Sequence, residues 1–335
     1  MDRVLGLTIL SFLTTAIFLI PFIDFLHASK SRRQKQITKD LFNKHTPIFD
    51  KFNAWKVGTP VGGGILIILV VCVFSLLAIG ILGTEVNRWE LFVIFFSFVS
   101  FGLLGLYDDI KKLVSGGKTS FFGLRFRHKF IIQWILALII GSIIYFKLGY
   151  SFIFIQGIGL VSLGPFFILF AAFVIVSFAN ACNIADGLDG LASGLLLICL
   201  VAFLIISQQI DQTLGIFSAI LLGSITAFLY FNIYKARIWL GDVGSLSLGA
   251  SFAVTGLLTG KTLALVVIGG VFIIEVGSSL FQILGKKFLG RKVFPVAPFH
   301  LYLQKRGWEE PKIVMRAWLV GFFLAVLGVW LALIA

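Results

Sequence analysis

The sequence predicts an all-α, polytopic integral membrane protein of about ten transmembrane helices, and three observations predict it. First, 59% of the 335 residues are hydrophobic and only 13% are charged, with a mean hydropathy of +1.04. One soluble core cannot hide that much apolar surface, so a soluble enzyme is excluded. Second, the apolar residues fall in runs long enough to cross a hydrocarbon layer about 30 Å thick. Third, 24 of the 28 Lys and Arg residues lie in alternate connections between those runs, the asymmetry that the positive-inside rule describes.

In chain order the runs are 4–26, 60–82, 90–107, 129–147, 164–182, 190–206, 214–231, 244–259, 262–285 and 314–334. Residues 148–163, rich in Phe, Ile and Gly, are expected to form an external hairpin instead of another span. Residues 27–58 hold 8 basic residues, 108–129 hold 6, 232–243 hold 2 and 285–316 hold 8, whereas Arg3, Arg88, Lys147 and Lys261 fall in the other connections. The rich set is expected in the cytoplasm, and an even number of spans then puts both termini outside. The net charge of +13 is thus a mark of topology, and no nucleic-acid partner is expected. No small-residue cleavage site precedes the basic stretch from Lys30 to Lys39, so the first run is expected to stay as a membrane helix. Cys72, Cys182 and Cys199 sit in apolar runs without CxxC spacing and read as packing residues. The 37 Phe and 35 Gly residues combine lipid-facing bulk with close helix approach, and the Gly-rich faces permit a homodimer. There is no internal repeat, and the chain reads as a single domain over 1–335.

Ionisable groups at or inside membrane spans are costly and therefore mark function. Asp108, Asp109, Asp186, Asp189 and Asp242 gather at run ends that face the basic connections, although each could be no more than a solvated helix end. Adjacent Asp108 and Asp109 repel unless a cation or a shared proton relieves them. A hard ion such as Mg²⁺ takes oxygen ligands and leaves room for substrate phosphates, which Lys112 and Lys129 could bind as point charges. Residues Asn180 to Gly194 collect two Asn, two Asp and three Gly between apolar runs, suited to close approach and polar recognition of a ligand. Trp239 to Ser245 places Asp242 at a helix start, where free N–H groups suit a metal-bound phosphate; a plain N-cap is the alternative. Lys56 precedes Gly62 to Gly64, a run that reads equally well as close helix packing. His300 is the one histidine of four in a polar, Pro-punctuated loop. Glu275 stands within the ninth run and should face the bundle interior and find a partner.

Taken in this order, the motifs resemble the polyprenyl-phosphate N-acetylhexosamine-1-phosphate transferase superfamily, glycosyltransferase family 4, and most closely its phospho-N-acetylmuramoyl-pentapeptide transferase branch. The resemblance runs from Lys56 to Trp318. Asn180 to Gly194 and Gly241 to Gly249 are its most specific parts, and Ala297 to His300 with Glu310 to Val314 point to the branch. It implies ten helices, both termini outside and a cytoplasmic active site. Asp108, Asp109 and Asp242 would be the catalytic acids, with Asp242 the main Mg²⁺ ligand. Lys56, Asn183, Asp186, Asp189 and Asn232 match positions around the nucleotide and its sugar, Trp239 an aromatic against the uracil, and Gln282 an inward polar group. Lys112 and Lys129 match basic positions near the phosphates. Where the branch carries three successive histidines, this chain has His300, Leu301 and Tyr302. His300 is expected to keep the cluster's role near the diphosphate, with Tyr302 supplying a hydroxyl. Asn53 replaces a family histidine, Val61 replaces a polar residue, and the linker from Asp109 to Lys129 is a few residues longer. These departures fall on recognition of sugar, peptide and nucleoside and leave the acids whole.

The expected reaction is Mg²⁺-dependent transfer of phospho-N-acetylmuramoyl-pentapeptide from its UDP-linked precursor to undecaprenyl phosphate at a bacterial cell membrane, releasing UMP. Transfer of N-acetylglucosamine-1-phosphate to the same lipid is the alternative within the enzyme class. A transporter would gather its polar groups at the midplane, whereas these acids gather at one face. An inactive scaffold is distinguished by activity alone.

Overall fold

The computed structural model describes residues 2–33, 38, 45–82, 86–114, 126–155, 158–207 and 212–334. Residues 115–125, which carry the lengthened linker, and most of the basic stretch over 34–44 lie outside the described residues. Each apolar run is helical: α1 (Asp2–Ala28), α3 (Gly63–Leu82), α4 (Arg88–Val114), α5 (Phe126–Leu148), α6 (Phe166–Ala185), α7 (Leu191–Ser207), α8 (Gln212–Asn232), α9 (Gly241–Leu258), α10 (Thr262–Ile268) with α11 (Gly270–Phe288), and α13 (Glu310–Leu333). Short helices α2 (Pro47–Asn53) and α12 (Phe299–Lys305) lie in connections, and α2 leads into a 3-10 turn over Ala54–Lys56. Eight of the described helices are long and apolar enough to span, while α7 is shorter at 17 residues.

The continuous ninth span expected over 262–285 is corrected: α10 and α11 meet at a bend of 76°. At Gly269, between them, the Phe178 ring occupies the place a side chain would take. The hairpin expected over 148–163 is present, with β1 (Phe152–Ile155) antiparallel to β2 (Gly159–Ser162) and Phe152 opposite Ser162.

Helix α9 lies at the centre, buried along almost its whole length. Its polar side chains are satisfied without water: the Ser247 hydroxyl donates to the Phe98 carbonyl at 2.5 Å and the Thr255 hydroxyl to the Ser251 carbonyl at 2.9 Å. Between α1 and α8, the Ser11 hydroxyl donates to the Ile220 carbonyl at 2.6 Å, and Ser11 and Thr15 each lie 2.9 Å from the Ser224 hydroxyl. Such bonds join helices where apolar burial gives no drive for one helix to leave lipid for another. Close approach fixes the start of α9. A side chain at Gly64 would meet the Gly244 backbone, and one at Gly105 would meet the Asp242 carbonyl, so Gly64 is a packing residue.

The basic connections meet at the Asp242 end of α9. Arg33 N–H donates to the Thr59 carbonyl and Trp239 N–H to the Pro60 carbonyl, both at 2.9 Å. At the far end, about 27 Å along an 18-residue helix, the Tyr150 hydroxyl donates to the Leu258 carbonyl at 2.7 Å beside the hairpin.

Candidate active site

Helix α4 continues past the apolar run to Val114, so Asp108 and Asp109 are helical instead of lying in a loop. Helical spacing brings Lys112 one turn on from Asp108. The Lys112 ammonium lies 3.0 Å from Asp108 Oδ2, 3.7 Å from Asp109 Oδ1 and 2.8 Å from Asp242 Oδ2. From the first turn of α5, Lys129 lies 3.2 Å from Asp108 Oδ2 and also pairs with Asp242. In the last turn of α6, the Asn183 amide donates to Asp242 Oδ1 at 3.0 Å and to the Ser245 hydroxyl at 2.8 Å. Two ammonium groups therefore sit among three carboxylates brought together from two helices.

Asp242 is not the N-cap of α9, since Leu240 holds that position without a capping side chain. Asp109 satisfies the helix start instead: its Oδ2 accepts the Val243 N–H at 3.1 Å. Gly241 has φ +74°, and a Cβ there would lie 2.6 Å from Asp109 Oδ2, so this turn requires glycine on both counts.

The three carboxylates supply the hard oxygen donors that Mg²⁺ takes. Asp108 and Asp242 are within reach of one cation, since the same ammonium already bonds both. Asp109 fits less well, because one oxygen is committed to Val243. Among the described residues, no three His, Cys, Asp or Glu side chains form a ready metal cage, so a divalent ion here would replace an ammonium between Asp108 and Asp242 and complete its shell with other oxygens.

A second cluster adjoins the first. Lys56 is 1% exposed. Its ammonium lies 2.6 Å from Glu310 Oε1 and 3.2 Å from Asp189 Oδ1, and it donates to the Gly187 carbonyl at 3.1 Å. Glu310 Oε1 also accepts the Asp189 N–H at 2.6 Å, while Asp189 Oδ2 accepts the Ala236 N–H at 2.9 Å. The Trp239 ring is covered by cations, with Lys56 Nζ 4.7 Å and the Arg33 guanidinium 4.8 Å from its centroid, contacts favoured by the ring quadrupole. Burial, followed by the Asp242 charge, pushes the Asp186 carboxyl well above the usual carboxylate range, opposed by Arg33 and Lys56. Burial likewise draws Arg33 below its ordinary value, against the pull of Asp186, Asp189 and Glu310.

Asn232 serves the backbone: its Oδ1 accepts from Gly190 N–H at 3.2 Å and the Ser193 hydroxyl at 2.6 Å, and its amide donates to the Ile238 carbonyl at 2.9 Å. Gln282 does the same for the last loop, accepting from Val293 and Phe294 N–H at 3.0 and 2.9 Å and donating to the Phe294 carbonyl at 2.9 Å. His300 is buried, and Glu275 is its partner, with Nδ1 2.9 Å from Oε2. Tyr302, two residues on in α12, falls about 200° around the helix. Its ring stacks on Phe299 with centroids 6.2 Å apart and lies 4.9 Å from the Arg306 guanidinium, so the structure does not bring it to the side of His300. Arg33 is a site neighbour that the sequence reading did not single out, and Glu310 entered that reading only within the Glu310 to Val314 motif, with no site role. Glu310 sits beside Pro311 in a first helical turn, where an acid reads as ordinary dipole compensation.

Residues 91–260 match the family model described as "Glycosyl transferase family 4", a stretch from α4 through α9 that holds the whole acidic centre. The chain belongs to glycosyl transferase family 4. Family-4 relatives extend the match beyond that stretch. A phospho-N-acetylmuramoyl-pentapeptide-transferase of Rickettsia felis is 37% identical over 295 residues, covering 82% of this chain and 79% of the relative. A protein of the same name from Geobacillus sp. is 35% identical over 326 residues, covering 96% of both chains.

Proposed function

We propose that this family-4 chain is a phospho-N-acetylmuramoyl-pentapeptide transferase, moving phospho-N-acetylmuramoyl-pentapeptide from a UDP carrier to undecaprenyl phosphate to give lipid I and UMP. The observation that carries the chemistry is the convergence of Asp108, Asp242, Lys112, Lys129 and Asn183 at one end of a buried helix. Phosphoryl transfer asks for aligned reactants and fixed positive charge, with little covalent work by the protein. Lys112 and Lys129, paired here with carboxylates, can turn to the diphosphate while Asp108 orients or deprotonates the lipid phosphate. Asp242 and Asp108 would hold Mg²⁺, which neutralises the diphosphate and eases departure of UMP. Trp239, Lys56 and Asp189 form the base side of the nucleotide site, Asn183 and Asp186 lie towards the sugar, and Asn232 and Gln282 hold the loops around them. The excess of Lys and Arg in the connections at this end supports a cytoplasmic site in a bacterial cell membrane, with both termini outside.

The test uses purified protein, undecaprenyl phosphate, Mg²⁺ and either UDP-N-acetylmuramoyl-pentapeptide or UDP-N-acetylglucosamine, following UMP and the lipid product. Lipid-dependent UMP release with the muramoyl substrate, abolished by EDTA, is expected. Product from the N-acetylglucosamine donor alone would favour the second reading, for which Leu301 and Tyr302 in place of two histidines speak.

A further inference from the structure

Glu275 lies six residues beyond the bend at Gly269, inside the apolar arm α11, and is 3% exposed. A carboxylate so placed persists only with a partner. Here that partner is His300: Glu275 Oε2 lies 2.9 Å from Nδ1 and also accepts the His300 backbone N–H at 3.4 Å. A carboxylate only accepts, so the proton of a neutral ring belongs on Nδ1 and Nε2 is left as the proton-free nitrogen. The ring is clamped on its other side. A Cβ at Gly187 would lie 2.8 Å from His300 Nε2, so the imidazole edge rests on the loop that carries Asp186 and Asp189.

We infer that Glu275 is a positioning residue for the transfer reaction, fixing the tautomer and plane of His300 so that Nε2 is the atom presented to the substrate diphosphate. This rests on the proposed function and on His300 as a substrate-contacting group. Among the described residues, both hydrogen bonds of the Glu275 carboxylate go to His300.

Glu275→Gln keeps the volume but offers Nδ1 either an acceptor or a donor, which frees the tautomer. In ¹⁵N spectra of the full-length histidine-labelled protein in detergent, His300 is assigned by the signals lost in His300→Asn. The wild-type ring is expected to carry its proton on Nδ1, and Glu275→Gln to show a mixture. In UMP release, Glu275→Gln should lower kcat about tenfold or more, with KM for both substrates held within about twofold. Glu275→Asp should recover part of that loss. Gly187→Ala, which crowds the ring and leaves the pair intact, should lower kcat in the same way. A wild-type ring protonated on Nε2, or Glu275→Gln with wild-type kcat, overturns the inference. The spectrum needs no substrate, so failure of the proposed reaction registers separately, as absent UMP release in the wild type.

Discussion

Lys56 Nζ lies 2.6 Å from Glu310 Oε1, a buried ion pair that ties the loop before α3 to the first turn of α13 across 254 residues. Removing one partner strands a charge that cannot be rehydrated cheaply, a loss of about 3–5 kcal/mol for buried pairs. Lys56 keeps Asp189 at 3.2 Å, so Glu310→Ala should fall at the lower end of that range. Glu310→Gln keeps an oxygen for Asp189 N–H and should be milder. Thermal unfolding in detergent measures both, and an unchanged melting temperature in Glu310→Ala would show that the pair adds nothing to stability.

Asp109 supports α9 through Val243 N–H, which separates it from its neighbour Asp108. Asp109→Ala leaves that donor unpaired at about 1–3 kcal/mol and lets Asp242 drift. Asp109→Asn retains an acceptor, so it should keep most of the stability and part of the turnover. Equal losses in the two variants would mean that the charge of Asp109 matters and its cap does not.

Gly105 has no room for a methyl group against the Asp242 carbonyl. Gly105→Ala should therefore push α4 from α9, at about 1–3 kcal/mol for an overpacked contact, and reduce UMP release by displacing Asp242. Gly80→Ala is the control, since nothing lies within 4 Å of a Cβ there. Matching behaviour of the two variants would remove the packing explanation.

The apolar runs were legible as helices because run length and hydropathy alone mark them, and the acidic centre because charge at the end of such a run is rare. The bend at Gly269 was not legible: its flanks are uniformly apolar, and the Phe178 ring that fills the gap comes from another helix. The extension of α4 had a signal in the four-residue spacing of Asp108 and Lys112, hidden by the switch from apolar to charged residues. Glu275 was readable as a residue that needs a partner, and His300 as a residue in an unusual loop, but nothing local joins them. The family resemblance put Asn232 among positions around the nucleotide and its sugar, and Gln282 at an inward polar position. Sequence does not tell whether such a group bonds a ligand or, as here, the backbone of a neighbouring loop.

Trp239 carries the nucleoside prediction. Arg33 and Lys56 lie 4.8 and 4.7 Å from its ring centroid, so a base stacked there would have cations at hand for its polar edge, and base-on-aromatic stacking is lost at about 1–3 kcal/mol on truncation. Trp239→Ala should raise KM for the UDP substrate far more than KM for the lipid, and Trp239→Phe should do so less. Equal effects on both substrates would assign Trp239 to packing alone.

Asp242 is where Lys112, Lys129 and Asn183 all meet, so its charge is the most direct point to remove. Asp242→Asn keeps the size and the helix start. UMP release by the purified variant, measured beside its melting temperature, should fall to background while the protein stays folded. Near-wild-type release from a folded Asp242→Asn protein would contradict the assignment of this convergence as the centre of phosphoryl transfer.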